Sequence, residues 1–237
     1  MQKKKDKNRI KSNAPKDKCV YIVLSKTQTL PSNVIKMWTR EPYSHTSLAF
    51  DIELNEMYSF ARKHVNFPFY CGFITEDITT GVFGRDVKTE CRVMRLWVTT
   101  AQKKRIDRIL DKFKAERNMY RYNYLGVFSS ILGRSVERRY NYFCSQFVYS
   151  VLERAGVDVF VKKPGLVRPR DFRLWRDPEI IYEGRLNQYR NYLKEHYPKD
   201  PETGEYIEEP GINKRTIEVF KSQRTQDMSD IGYAEGE

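Results

Sequence analysis

The residue with the clearest capacity for covalent chemistry is Cys144, which opens a run that predicts a short amphipathic helix. Apolar residues recur at helical spacing from 147 to 155, and Gly156 supplies a C-terminal stop. The amides and dipole of a helix N-terminus favour the thiolate, which attacks carbonyl carbons, and the same amides can hold the resulting oxyanion. This position indicates a nucleophile, although a free cysteine is equally often a small core residue.

A nucleophilic thiol needs a base, and the chain offers only three histidines. His196 adjoins an acidic stretch and His64 lies in a segment without a regular pattern, whereas His45 begins an alternating strand. A lone strand histidine is more often structural than catalytic. The pairing of Cys144 with His45 is therefore a hypothesis that neither residue establishes by itself.

The elements that must position this pair follow from the apolar patterns. Residues 46–50 and 57–62 alternate around a polar turn at 53–56, which predicts a β-hairpin. Thr99 and Gln102 form a capping-box signature for a helix with an apolar inner face and a basic outer face. Strands are also predicted at 19–24, 91–98 and 180–186, a helix after Ser32, and an irregular segment at 63–86.

Charge and composition divide the chain into three parts. The composition is globular, with 40% hydrophobic residues, and it predicts one main domain at 19–197. Residues 1–18 hold eight Lys/Arg against two Asp, which predicts a disordered basic arm. Residues 198–237 hold five Lys/Arg against ten Asp/Glu, which predicts an acidic, largely extended tail.

Hydropathy, cysteine spacing and the lack of known motifs argue against several classes of protein. No apolar run is long enough for a transmembrane segment and none resembles an export signal, so a cytoplasmic location is the default expectation. The four cysteines lie far apart without a CxxC pair, so we expect free thiols, no metal site and no cofactor. The net charge of +12 fits an anionic surface, but no nucleic-acid motif accompanies it, and nucleic-acid binding is disfavoured.

Two segments together resemble a known group of enzymes. The strand at 44–50, SHTSLAF, followed about 100 residues later by 142–148, YFCSQFV, resembles the permuted papain-like cysteine hydrolases of the NlpC-type superfamily. Its YiiX-like amidases are the nearer relatives, and lecithin retinol acyltransferase-like enzymes are more distant. The resemblance spans about 19–189 and implies an α+β, circularly permuted papain-like fold, with an antiparallel sheet or small barrel packed against the cysteine helix.

The resemblance also implies roles for individual residues. Cys144 matches the nucleophile and His45 the general base. Ser59 on the second hairpin strand aligns with the residue that orients the imidazole, and Glu56 near the turn is the charged alternative. Tyr122 is a candidate oxyanion donor, with core packing as the other reading. Arg62 is a candidate substrate-binding cation, or an ordinary exposed arginine.

Three functions remain open from the sequence. The first is a thiol hydrolase or amidase that forms an acyl-enzyme on a peptide or cell-wall amide, reached by lysis or phage delivery if the protein lacks export. The second is a lipid acyltransferase or thioesterase of the same fold, with the basic arm on an anionic surface. The third is a binding or structural module on a papain-like scaffold whose site has decayed.

Overall fold

A computed structural model of the chain describes residues 14–26, 41–63 and 70–208. Three predicted features lie wholly or partly outside these ranges. They are the helix after Ser32, most of the basic arm, and the acidic tail beyond residue 208. His64 lies outside as well.

Six strands form one sheet in the spatial order β4-β3-β2-β1-β5-β8, and every neighbouring pair is antiparallel. A short parallel pair, β6 and β7, stands apart from it. The bounds are β1 Lys18–Ser25, β2 His45–Ala49, β3 Met57–Arg62, β4 Cys71–Glu76, β5 Glu90–Val98, β6 Arg121–Tyr122, β7 Asn141–Tyr142 and β8 Glu179–Arg185. The sheet is open, with β4 and β8 at its edges, so the predicted antiparallel sheet is confirmed and the alternative of a small closed barrel was wrong.

The described residues also contain six α-helices, which pack on both faces of the sheet. Their bounds are α1 Gly81–Arg85, α2 Thr100–Ala115, α3 Tyr124–Ile131, α4 Cys144–Arg154, α5 Pro169–Leu174 and α6 Tyr189–His196. The capping box of α2 is present as predicted, because Thr99 Oγ1 accepts from the Gln102 amide and the Gln102 side chain accepts from the Thr99 amide. None of the helices in the described ranges is long and apolar enough to cross a membrane.

Strand alternation divides the apolar residues between two cores. Ile22, Leu48 and Met94 face α2 and α4, whose buried residues include Phe113 and Phe147. The opposite face buries the alternate strand residues against β8 and α6, and its members include Tyr21, Val23, Met57, Val93, Ile181, Tyr189 and Leu193. Helix α4 therefore lies against the first core, where it also contacts β2 and β3.

The irregular segment predicted at 63–86 was wrong where β4 and α1 form. β4 has only six residues, and Gly72 weakens its strand signal. The strand forms because it pairs with β3 along its whole length, from Arg62–Cys71 to Met57–Glu76. Tertiary pairing thus supplies what local sequence preference does not.

The first residues of the predicted acidic tail return to the sheet. Lys199 bridges to Tyr206. Glu208 accepts hydrogen bonds from the Tyr21 hydroxyl and from Cys19 Sγ, at 2.8 Å for the thiol. Glu208 also lies 3.8 Å from the fully buried guanidinium of Arg95. This acidic side chain therefore balances a buried charge on the β8 side of the sheet.

Replacing Phe147 with alanine is expected to destabilise the protein by about 3–5 kcal/mol, because it empties the centre of an aromatic cluster. The Phe147 ring centroid lies 5.4, 5.7 and 5.0 Å from those of Phe60, Phe73 and Phe113. Urea denaturation followed by circular dichroism measures the change. The control is Phe128→Ala on the exposed side of α3, which we expect to change stability by no more than about 0.5 kcal/mol. Equal losses for the two variants would contradict this packing.

Candidate active site

β2 carries His45 at its first position, and cross-strand pairing decides which side chains it can meet. Ala49 pairs with Met57, and Met57 pairs with Glu76, so these three side chains share one face of the sheet. His45 and Ser47 share that face, which is the face of the second core, because side chains alternate along a strand. Three adjacent strands, β2, β3 and β4, thus build one polar cluster. Helix α4 packs on the other face of the sheet, and its first residue, Cys144, reaches the neighbourhood of His45 from there.

Glu76, the last residue of β4, is the direct partner of His45. Its Oε1 lies 2.8 Å from His45 Nε2, and its Oε2 accepts a hydrogen bond from the Ser47 hydroxyl. All three side chains are buried. A carboxylate with both oxygens engaged in this way fixes the orientation of the imidazole and favours its protonated form.

Cys144 stands at the first position of α4 and is 6% exposed, beside a His45 that is 8% exposed. The Cys144 thiol lies close enough to His45 for its interaction with the ring to help raise the pKa of the imidazole, beside the larger effect of Glu76. The order is therefore thiol, imidazole, carboxylate, with each member in contact with the next.

Local contacts hold the start of α4 in place. The Ser145 hydroxyl donates to the Val167 carbonyl at 2.8 Å, and the Gln146 side chain accepts from the Phe143 amide at 3.4 Å. First-turn amides of a helix have no carbonyl partner inside that helix. Amides in such a first turn are able to stabilise a negative charge that forms beside Cys144.

The charges within the cluster reinforce one another. Burial alone would lower the pKa of His45, but the charge of the Glu76 carboxylate, its hydrogen bond to the ring and the interaction with Cys144 outweigh burial and raise that pKa to about 10. Burial works to raise the pKa of Glu76, and the charge and hydrogen bonds of its neighbours, His45 first, bring it below its usual value. His45 is therefore cationic and Glu76 anionic at neutral pH.

Neither of the two residues predicted to orient His45 forms a hydrogen bond with its imidazole. Ser59 lies buried on the same face and close enough to Glu76 to help lower its pKa, but its hydroxyl has no hydrogen-bond partner among the described residues. Glu56 is turned elsewhere, since its carboxylate accepts from Tyr58 and Lys114. It is Glu76, on a strand that the sequence patterns did not reveal, that contacts the imidazole.

Tyr122 and Arg62 lie around the cluster rather than in it. Tyr122 is partly buried on β6, and its pKa is raised well above the usual value by burial and by the nearby thiols of Cys144 and Cys71. Arg62 ends β3 opposite Cys71, and its charge acts to lower the pKa of that thiol against the larger effect of burial. The oxyanion role of Tyr122 and the substrate-binding role of Arg62 stay predictions.

One sequence signal could have pointed to the missing members. Ser47 follows His45 by two residues, so strand alternation alone places its hydroxyl beside the imidazole on one face. Glu76 has no such local signal, because its partners are 29 and 31 residues away in the chain. Among the described residues, no group of three or more His, Cys, Asp or Glu side chains is arranged to hold a metal ion.

Fold and site together define an α+β protein with an open antiparallel sheet and a buried Cys–His–Glu cluster at the start of a helix. Comparisons of the chain with protein-family models, with characterised proteins and with solved structures return no match. The chemistry of this cluster therefore carries the functional inference.

Proposed function

We propose that the protein is a cysteine hydrolase of the amidase type, acting on a peptide or cell-wall amide bond. The Cys144 thiolate attacks the carbonyl carbon, and the oxyanion is held by first-turn amides of α4. Protonated His45 gives its proton to the departing amine as the C–N bond breaks. Water then attacks the acyl-enzyme and gives a proton to His45, the bond from the acyl carbon to sulfur breaks, and the acid product leaves while the Cys144 thiolate and protonated His45 are restored.

The observation that carries the proposal is the position of His45 between the Cys144 thiol and the Glu76 carboxylate. Burying an imidazolium and a carboxylate costs several kcal/mol of desolvation per ion, which the mutual attraction offsets only in good geometry. A thiol that served only as a small core residue would need neither group. This favours the enzymatic proposal over a binding or structural module on a decayed scaffold.

The chain order supports the circularly permuted papain-like fold as part of the same proposal. The histidine strand precedes the cysteine helix by about 100 residues, in the order that the resemblance implies, and α4 packs against the strand that bears the histidine. An antiparallel sheet with a nucleophile helix on one face is also what that fold requires. A lipid acyl bond is the second candidate substrate, and the surface described in the next subsection favours it.

The proposal is tested with an activated ester, which does not require the natural substrate to be known. Mixing the wild-type protein with p-nitrophenyl acetate is expected to release p-nitrophenol with turnover and to add one acetyl group to Cys144, detected by peptide mass spectrometry. Cys144→Ala should reduce the release to the rate of the other free thiols, Cys19, Cys71 and Cys91. Absence of acetylation at Cys144, or equal turnover by the variant, would contradict the proposal.

Once acylation is established, the substrate class follows from competition. Peptidoglycan fragments and acyl lipids are compared for their ability to slow the acetylation of Cys144. An amidase for cell-wall bonds predicts protection by the peptide-containing fragments. Protection by acyl lipids alone would instead favour the acyl-transfer or thioesterase alternative.

A further inference from the structure

Helix α3, Tyr124–Ile131, turns its large apolar side chains outward and its small ones inward. Leu125 is 55% exposed, Phe128 is 62% exposed, and Leu132 at the C-cap is 73% exposed, whereas Gly126 and Ser130 are buried. A helix on the surface of a soluble protein normally shows the opposite arrangement. These three apolar residues, called the α3 stripe below, therefore need a partner.

The α3 stripe is a continuous surface. At 100° per residue, positions 125, 128 and 132 fall within about 60° of one another around the helix axis. They follow one line along two turns of the helix. Single exposed apolar residues are ordinary on protein surfaces, but an aligned set of this size marks an interaction face.

The inward side of α3 is fixed by specific contacts, so the helix cannot simply rotate to hide the stripe. Asn123 caps the helix through its Oδ1, which accepts from the Gly126 amide, and its Nδ2 donates to the Val136 carbonyl at 3.0 Å. A Cβ at Gly126 would lie 2.3 Å from the Asn123 side chain. Arg168 also donates to the Ser130 carbonyl.

Four exposed arginines flank the α3 stripe. Arg121 lies just before the helix, and Arg134, Arg138 and Arg139 follow it. The same span holds one acid, Glu137, and none of the four arginines forms an ion pair within the described ranges. The guanidinium of Arg139 instead lies over the ring of Tyr140. An apolar line between uncompensated arginines is complementary to a surface that is apolar inside and anionic outside.

We propose that the α3 stripe docks on an anionic lipid bilayer, with its apolar side chains in the acyl region and the flanking arginines at the headgroup phosphates. The helix is two turns long and would lie in the interface. α3 begins two residues after Tyr122, whose surroundings include the Cys144 thiol. If the proposed hydrolase function holds, docking presents a lipid-borne acyl group to Cys144; docking itself does not depend on that function.

The test measures binding of the full chain to vesicles of phosphatidylcholine with 30% phosphatidylglycerol and to pure phosphatidylcholine vesicles, by co-sedimentation. We expect binding at least about ten-fold tighter to the anionic vesicles, since each arginine near such a surface contributes a several-fold factor. The triple variant Leu125→Gln/Phe128→Gln/Leu132→Gln should bind them at least about ten-fold more weakly. The basic arm is unchanged in that variant, so the difference reports on α3 alone.

Matched controls separate the α3 stripe from general stickiness and from catalysis. Val161→Gln/Leu174→Gln removes two other exposed apolar side chains and should leave binding unchanged. Cys144→Ala should also bind as the wild type does, so a failed hydrolase proposal leaves this result standing. Circular dichroism checks that each variant is folded. Failure of the wild type to bind anionic vesicles, or equal binding by the α3 triple variant, overturns the proposal and leaves a protein partner as the occupant to seek.

Discussion

Replacing His45 with alanine is expected to slow the alkylation of Cys144 by iodoacetamide at pH 6.5 by about ten-fold or more. Alkylation follows the thiolate fraction, and an ordinary thiol with a pKa of about 8.5 is only about 1% ionised at that pH. In the wild-type protein the adjacent imidazole is cationic at this pH, and a cation beside a thiol increases the reactivity of its sulfur. The difference in alkylation rate between wild type and His45→Ala should be smaller than the ratio of their thiolate fractions. This is because the nucleophilicity of a thiolate falls as the pKa of its thiol falls.

The pH dependence of the Cys144 alkylation rate tests the role of His45 in a second, independent way. The pKa of His45 is raised from its usual value near 6.5 to about 10, so the ring keeps its proton at neutral pH and loses it only as the pH rises through about 10. The wild-type rate should therefore stay nearly level from neutral pH to about pH 10. In His45→Ala the rate should climb with pH as it does for an isolated thiol.

Peptide mass spectrometry resolves which thiol has reacted. Cys19, Cys71 and Cys91 are also free, and their alkylation in the same sample reports any general loosening of the variant. His196→Ala is the matched substitution, because His196 lies on α6 and hydrogen-bonds the Tyr192 carbonyl. A wild-type Cys144 that reacts like the other three thiols, or a His45→Ala variant with unchanged rate and pH profile, would count against the catalytic pair.

Elements with strong local signals could be predicted from the sequence. The capping box and apolar spacing of α2, the hairpin of β2 and β3, and the helix that begins at Cys144 all follow from patterns within about fifteen residues. β4 has no such pattern, since Gly72 interrupts it. Its formation depends on pairing with β3, which is a tertiary effect.

The dependence on tertiary pairing also explains why the sequence predicts two of the three site residues and not the third. Cys144 and His45 could be chosen from residue type, position within an element and rarity in the chain. The third member depends on which strand lies beside β3. The family resemblance places this member on the strand next to the histidine strand, and alignment along that strand, β3, points to Ser59. A side chain as long as glutamate reaches across β3 from β4, so the actual partner of His45 comes from the next strand but one. Local periodicity carries no information about that distance.

Replacing Glu76 with glutamine is expected to lower kcat/KM by about 10²–10⁴-fold, measured with the activated ester or an identified substrate. Glutamine keeps the size of the side chain but removes the charge that holds His45 in its protonated form. The upper limit of the level region in the Cys144 alkylation profile should move to lower pH, because the pKa of His45 falls when Glu76 is neutral. A thermal unfolding scan checks that the variant remains folded.

Ser59→Ala is the decisive control, because it removes the residue that the sequence placed in this role. Its hydroxyl has no hydrogen-bond partner among the described residues, so its loss should change kcat/KM by no more than a few-fold. The loss of kcat/KM in Ser47→Ala should lie between the losses in Glu76→Gln and Ser59→Ala. Ser47 donates a hydrogen bond to Glu76 and positions the carboxylate without touching the imidazole. If Ser59→Ala were the more damaging change, the orienting role would belong to β3. The predicted ranking of Glu76, Ser47 and Ser59 would support a Cys–His–Glu site assembled from two strands, β2 and β4, and the start of α4.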